Sequence, residues 1–435
     1  MADLIVKETS TLEGTIEAPP SKSITHRAFI AATLSPGLSI IRKPLICDDT
    51  LATIDACRML GARIRRKERD IFEVHGCSKI LTPDDVINCR DSASTMRFLT
   101  PICGLTDGIS VLTGGKSLRS RPMGPLLDAL RQLGVQCYST RGDGYPPIIV
   151  FGGGIEGEET CMAGDVSSQF VSGLLFATPM AQNDTEIKML TPLESKPYVG
   201  ITIDILRSHG IEVEVDPEYK RFHVPCGQIY TPSSHIVEGD YSSAAFLLAA
   251  ASITDSKIRV TNLREDSLQG DRVIVDLLRR IGVEIKQGKD FIEVRGRNGS
   301  LQPFNVDLRD NPDLVPVCTA LAFFARGESS IHGIRRLRFK ESDRIAALLN
   351  EFTKMNGKIH VSNNTIKVRG GEKLRGAELN SHGDHRIAMA CIISALGAKG
   401  ISVIRGVECI NKSYPNFLRD MKSLGANIIE RQLDR

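Results

Sequence analysis

Lysine and arginine recur where apolar helices are expected to begin. In Ser21-Lys22-Ser23-Ile24-Thr25-His26-Arg27, two cations enter a helix whose body, Ala28 to Leu34, is apolar, after Pro19-Pro20 has stopped what precedes it. Ser21 or Ser23 can cap the first free backbone N–H groups, and those groups with the helix dipole already favour an anion. Arg97 and Arg386 stand likewise within the first two turns of apolar helices, behind Asp91-Ser92-Ala93-Ser94 and Gly383-Asp384-His385. The chemistry such starts suit is the binding of phosphate or carboxylate. One start alone reads as a capped surface helix with solvated cations, and Ser92 is read here as a cap. Lys22, Arg27, Arg97 and Arg386 together do not fit that reading, because buried helices should not carry cations without partners.

Further charged groups lie nearby in the sequence. Ser167-Ser168-Gln169 and Asn311-Pro312-Asp313 open two more apolar segments, and Arg121 precedes the proline of an amphipathic one. Residues 335–344 hold five cations and two carboxylates; Lys340, Glu341 and Arg344 are expected to enter a helix, with Lys340 and Arg344 on one face. Lys412 stands just before the last amphipathic segment. Arginine suits bidentate recognition of carboxylate or phosphate, whereas lysine is a point charge that can also move protons.

The elements that must position these groups form a repeat. A glycine ends an amphipathic segment and opens a strand-like run at Gly61, Gly134, Gly210, Gly282, Gly357 and Gly425, at steps of 68 to 76 residues. Each sits where a helix end calls for a left-handed residue. A second series, of buried helix starts, falls near Ser21, Ser92, Ser167, Ser242, Asp313 and Asp384, at steps of 71 to 75 residues. Each repeat therefore reads as buried helix, short strand, amphipathic helix, glycine and two strands. Six units allow either a continuous solenoid or two closed domains of three. The break Thr231-Pro232-Ser233-Ser234, mirroring Pro19-Pro20, favours two domains. If the prolines mark crossings between halves, residues 1–18 belong with the second half. Should the buried helices of each half point the same way, their N-termini converge on one surface.

Composition narrows the function classes. The 435 residues are 41% hydrophobic and 25% charged, with a net charge of +3, no tryptophan and only 5% aromatics, so neither a nucleic-acid-binding nor a membrane partner is indicated. The eleven cysteines show no C-x-x-C spacing, which suggests neither zinc nor a redox pair and suits a reducing compartment. The N-terminus lacks the features of a signal peptide and no apolar run has the length of a membrane span, so a cytoplasmic location is expected.

Familiar motifs can be set aside. Gly115-Lys116-Ser117 resembles the end of a P-loop, but the glycine needed five positions earlier is Ser110. Residues 152–157 match G-x-G-x-x-G, yet a poor helix follows them. The nine histidines lack metal-ligand spacing.

SKSITHR (21–27), RPMGPLLDAL (121–130), SSQF (167–170), SKPY (195–198), QGD (269–271), FKESDR (339–344), GDHRIAMA (383–390) and NKSYPNF (411–417) occur in order along the whole chain. Together they resemble the enolpyruvyl transferase family, and within it the 5-enolpyruvylshikimate-3-phosphate synthases. The resemblance implies an α/β fold, a two-domain inside-out α/β barrel in which each domain has three βαβαββ repeats with buried parallel helices. It places residues 1–18 plus 237–435 in one domain and 19–236 in the other, with the active site in the cleft between them.

It further implies transfer of the enolpyruvyl group of phosphoenolpyruvate to the 5-hydroxyl of shikimate 3-phosphate, with release of phosphate. By motif, Ser23, Arg27, Ser167, Ser168, Gln169, Ser195, Asp313 and Lys340 would hold shikimate 3-phosphate, and Tyr198 would line that pocket. Lys22, Ala93, Arg121, Gln169, Arg344, Arg386 and Lys412 would lie on phosphoenolpyruvate. Asp313 and Lys22 would serve the hydroxyl proton and Glu341 the methylene carbon, with His385 beside them. No metal or organic cofactor and no macromolecular partner is implied, and a monomer is expected.

The chain departs from the family pattern at Asp91-Ser92-Ala93-Ser94, where N-x-G-T is common. Ala93 adds a methyl group against the phosphoenolpyruvate site, which is expected to crowd the longer competitor glyphosate. Asp91 and Arg336 replace asparagines and leave contacts unassigned. Two rivals compete with this reading. The sister transferase acting on UDP-N-acetylglucosamine resembles K-N rather than K-S at Lys22-Ser23, and often carries a cysteine before Arg121, where Gly114 to Ser120 has none. A non-catalytic six-repeat anion-binding scaffold would not call for carboxylates such as Asp313 and Glu341 beside the cations.

Overall fold

The computed structural model describes residues 2–296 and 301–432, so the outer ends of the expected discontinuous domain lie outside the described residues. By contact the chain divides into two units, residues 1–20 with 238–435, and residues 21–237. Each has its own hydrophobic core.

Helices alternate along the chain between buried and amphipathic. In the unit of residues 21–237, α1 (Lys22–Leu34), α3 (Ala93–Cys103) and α5 (Ser168–Ala177) are buried almost throughout, while α2 (Asp48–Met59), α4 (Gly124–Gln132) and α6 (Lys196–Ser208) each keep an exposed face. The other unit repeats the scheme, with α7 (Tyr241–Ile253), α9 (Val315–Phe324) and α11 (His385–Leu396) buried and α8 (Val273–Arg280), α10 (Arg344–Lys354) and α12 (Phe417–Ser423) half exposed. Small side chains explain the burial. Tyr241–Ile253 is largely alanine, serine and leucine, which lets α7, α9 and α11 pack against one another.

Among the described residues there are six four-stranded sheets, all with one topology: a parallel pair followed by two antiparallel partners. In the sheet 87–151, Ile87–Asn88 runs parallel to Ile109–Thr113, which pairs antiparallel with Ile148–Phe151 and so reaches Cys137–Ser139. The N-terminal segment completes two sheets of the unit it joins. Ala2–Lys7 lies between Ile401–Arg405 and Ile428–Gln432, and Glu13–Glu17 pairs with Lys257–Thr261. The stretch 231–234 does not end its half: Ser234–Ile236 pairs in parallel with residues 40–42, and the division falls after Val237.

Five of the six repeat glycines take the left-handed conformation, with φ of +107° at Gly61, +84° at Gly134, +76° at Gly210, +96° at Gly282 and +100° at Gly425. Gly357 does not. There the left-handed residue is Asn356 (φ +63°), a side chain that tolerates this region. Gly357 is required for space instead, since a Cβ would stand 2.6 Å from the Phe323 ring.

Several expected boundaries move. Asp240, not Ser242, caps α7, its carboxylate accepting from Ser243 N at 2.7 Å. Asp313 caps nothing, because α9 begins only at Val315 behind a 3-10 turn. Lys340 and Glu341 precede α10 rather than entering it. Asp343 accepts from the N–H groups of Ile345 and Ala346, both at 3.1 Å, and fixes the helix start at Arg344.

Candidate active site

Within residues 21–237, buried helix starts come together through their side chains. Ser21 caps α1 and Ser92 caps α3, each accepting from a backbone N–H three residues on; Ser167 caps α5 from Gln169 N. Arg97 of α3 reaches across to α5, donating to Ser167 Oγ at 3.2 Å and Gln169 Oε1 at 2.9 Å, while Gln169 returns a bond to Ser94 Oγ at 2.8 Å. A third contact, to Pro122 O at 3.3 Å, ties in the segment that carries the buried Arg121.

Arg27 is 2% exposed and stacked 4.9 Å over Phe98. It donates to Thr202 Oγ1 at 2.7 Å, Ser23 O at 2.9 Å and Tyr198 O at 3.0 Å, all neutral oxygens. Burial brings its pKa down to about 10, and its positive charge is left for an anion to balance. Ser195 enters α6 in a left-handed conformation (φ +60°) and is buried, as are Ser168 and Ala93. Ala93 is the first residue of α3, directly after its cap. The Asp91 carboxylate accepts from Leu118 N, in the short helix Lys116–Arg119, at 3.3 Å.

Lys22 donates to Asp49 Oδ2 at 2.7 Å. Sequence reasoning did not single out Asp49. The signal was present in the paired acids Asp48-Asp49, which now prove to occupy the first turn of α2. Beneath this pair, His26 Nδ1 meets Thr53 Oγ1 at 2.7 Å, and Thr53 meets Thr95 at the same distance. The imidazole is fully buried, and burial lowers its pKa to about 3.

The other unit gathers a second cluster. Arg344 is 1% exposed and divides its guanidinium among three carboxylates: Nε to Asp384 Oδ2, Nη1 to Asp313 Oδ1 and Nη2 to Glu341 Oε2, each at 2.8 Å. Asp313 also receives Lys340 Nζ at 3.5 Å and lies 3.7 Å from Arg386 Nη2. Burial pushes the Asp313 carboxyl up, but Lys340, Arg344 and Arg386 outweigh it and hold it well below the usual range. Lys340 goes the other way, to about 8, because burial and the cations Arg344 and Arg336 oppose its charge more than Asp313 supports it. Lys340 and Arg344 thus meet on Asp313 although they share no helix face.

Arg386 is 3% exposed, and its Nε and Nη1 have no hydrogen-bond partner among the described residues. Asp384 caps α11 from Arg386 N, His385 is buried beside it, and Lys412 Nζ lies 3.5 Å from Gly383 O. Behind Asp313, Asp271 of the QGD segment accepts from Ser242 Oγ at 2.5 Å and Asn311 Nδ2 at 3.1 Å. Arg336 donates to Arg309 O at 2.6 Å.

The expected residues therefore fall into two groups. Lys22, Ser23, Arg27, Ala93, Arg121, Ser167, Ser168, Gln169 and Ser195 belong to residues 21–237; Asp313, Lys340, Glu341, Arg344, His385, Arg386 and Lys412 belong to the other unit. Among the described residues, no group of three or more His, Cys, Asp or Glu side chains is placed to hold a metal ion. No helix among them is long and apolar enough to cross a membrane. Chemically, the first group offers fixed cations and hydroxyls to anions. The second adds carboxylates beside cations, groups that can take up and release protons.

The family model described as EPSP synthase (3-phosphoshikimate 1-carboxyvinyltransferase) matches residues 6–421. The 3-phosphoshikimate 1-carboxyvinyltransferase of Methanocaldococcus jannaschii is 45% identical over 427 residues, 98% of this chain and 99% of that protein. The protein of the same name from Methanosarcina mazei is 43% identical over 425 residues, 97% of each. A solved EPSP synthase structure from Acinetobacter baumannii matches with a TM-score of 0.83 at 25% identity, covering 99% of this chain and 100% of that one. By these matches, which run almost from end to end, the chain belongs to the EPSP synthase (3-phosphoshikimate 1-carboxyvinyltransferase) family.

Proposed function

We propose that the protein transfers the enolpyruvyl group of phosphoenolpyruvate to the 5-hydroxyl of shikimate 3-phosphate, a transferase step of the shikimate pathway toward aromatic amino acids. Family membership supports the reaction. The observation that carries the assignment of roles is the pair of carboxylates, Asp313 and Glu341, held on the buried Arg344. An anion-binding scaffold has no use for them.

The residue roles follow the chemistry. Both substrates carry a phosphate and a carboxylate, so several negative charges must be balanced. Shikimate 3-phosphate is assigned to Ser23, Arg27, Ser167, Ser168, Gln169, Ser195, Asp313 and Lys340, and phosphoenolpyruvate to Lys22, Arg121, Gln169, Arg344, Arg386 and Lys412, with Ala93 against it. In the addition, the 5-oxygen bonds to C2 of phosphoenolpyruvate as its hydroxyl proton passes to Asp313 or Lys22, and the methylene carbon gains a proton from Glu341. In the elimination, the methyl carbon returns a proton to Glu341, the C2–O bond to phosphate breaks, and phosphate leaves with the proton that Asp313 or Lys22 had taken. His385 is assigned a part beside these transfers. The two units are taken as domains of 1–18 plus 237–435 and 19–236, the enzyme as a cytoplasmic monomer, and Ala93 as a barrier to glyphosate.

Phosphate release tests the substrate assignment. It should require shikimate 3-phosphate together with phosphoenolpyruvate and collapse in Lys22→Ala. Release driven instead by UDP-N-acetylglucosamine would favour the sister reaction.

A further inference from the structure

The turn that leads into α11 contains two successive left-handed residues, His382 (φ +53°) and Gly383 (φ +69°), and a histidine in that region is uncommon. It sits between the strand Glu378–Asn380 and the cap Asp384. Asn380 Oδ1 accepts from His382 N at 2.6 Å, and Ser381 Oγ accepts from Gly383 N at 3.2 Å. Ser381 Oγ also donates to Gly406 O at 2.8 Å, and two further holds come from α10. Arg344 grips Asp384 at 2.8 Å; seven residues on, and so on the same face of that helix, Glu351 grips the turn's other end. Glu351 Oε2 accepts from Asn380 N at 2.9 Å, and Oε1 meets His382 Nε2 at 2.7 Å.

The Glu351 side chain is 1% exposed, yet none of the roles described so far uses it. Lys354 Nζ reaches both of its oxygens, at 2.9 and 2.7 Å, and the group borders an open cavity of about 510 Å³ with His382 and Asn380. Burial alone would raise this carboxyl, but hydrogen bonds from Lys354, Asn380 and His382 lower it below its ordinary value. An ionised, buried carboxylate that meets both Asn380 N and His382 Nε2 ties that turn to the helix carrying it.

We propose that Glu351, through His382 and Asn380, is a positioning residue for phosphoenolpyruvate, fixing the turn that aims Arg386 and sets Gly383 O against Lys412. The proposal rests on the reading that Arg386 and Lys412 hold that substrate. A turn released at its His382 end lets the start of α11 shift while Arg344 still holds Asp384. Affinity for one substrate should therefore suffer before turnover does.

Steady-state kinetics of the full-length enzyme test this with His382→Asn, which tolerates the left-handed backbone but loses the ring, and with Glu351→Gln. In His382→Asn the KM for phosphoenolpyruvate should rise about tenfold, as for a lost hydrogen bond to a charged group, while kcat and the KM for shikimate 3-phosphate stay within about twofold. The double variant should be no worse than the weaker single one, because both break one linkage. If Glu351→Gln does not fold, His382→Asn carries the test alone, its side chain being only partly buried. An unchanged phosphoenolpyruvate KM in folded His382→Asn, with Arg386→Lys raised, overturns the proposal alone. Both KM values rising together with a lower melting temperature would show a brace of the fold and also overturn it. An unchanged KM in Arg386→Lys would instead sink the reading on which it rests.

Discussion

Arg344 Nε donates to Asp384 Oδ2 at 2.8 Å with the two side chains 1% and 0% exposed, and this pair anchors the whole carboxylate cluster. The remaining guanidinium nitrogens hold Asp313 and Glu341, so one planar group sets the spacing of both proposed proton-transfer residues. A lysine offers a point charge and cannot serve three carboxylates in one plane. Arg344→Lys is expected to lower kcat/KM about a hundredfold or more, the scale of removing a fixed electrostatic donor. It should also cost roughly 3 kcal/mol of stability by leaving buried carboxylate oxygens unmatched. Kinetics with thermal unfolding check both.

Asp49 Oδ2 accepts from Lys22 Nζ at 2.7 Å. Asp49→Asn retains an acceptor for Lys22 but removes the charge that orients it. A fall in kcat of about tenfold is expected, typical of disturbing one proton-transfer group, with little change in melting temperature. Full activity in the variant would remove Asp49 from the account.

His26 makes the stability of residues 21–237 sensitive to acid. Burial, then Lys22 and Arg27, hold its pKa near 3 against the ordinary 6.5 of a histidine, with Asp49 opposing. The unfolded chain therefore takes up the proton first. Stability from this group is fully present above pH 6.5 and is lost as pH falls from there toward 3. Each such proton contributes a slope of about 1.4 kcal/mol per pH unit across the middle of that window. Asp271, raised to about 6 by burial and Asp313, acts with the opposite sign between its unfolded value of 3.8 and that point. Comparing His26→Gln with the parent cancels the Asp271 contribution. The variant's melting temperature should depend less steeply on pH between 6 and 4, and equal slopes would contradict the assignment.

Ala93 opens α3 directly after its cap and is 6% exposed, so its methyl group has little room to move. Ala93→Gly should make the enzyme more sensitive to glyphosate, by about tenfold for contact with one methyl-sized group. Inhibition curves against phosphoenolpyruvate measure this, and unchanged sensitivity would refute it.

The repeat was legible because a glycine at a helix end and a capping residue at a helix start are demands of local backbone chemistry, repeated in six copies. Three exceptions are instructive. At Ser242 the cap is Asp240, two residues earlier. At Gly357 the demand was for space beside Phe323, with Asn356 taking the left-handed conformation. At Asp313 a capping residue type was serving Lys340, Arg344 and Arg386 instead. Pairings across long separations were not legible: nothing in local pattern links Lys22 to Asp49, or Arg97 to Gln169. The same holds for Glu351, which sequence leaves as one acid within an amphipathic helix and the fold buries against His382.

Addition followed by elimination leaves its record in the methylene hydrogens. If Glu341 protonates that carbon and a proton is later returned, the reaction run in deuterium oxide must place deuterium in the methylene group of the product. Mass spectrometry or proton NMR of the enolpyruvyl ether should show it in the parent enzyme, with strongly reduced incorporation and turnover in Glu341→Gln. Product formed at full rate with no deuterium in its methylene group would contradict the account.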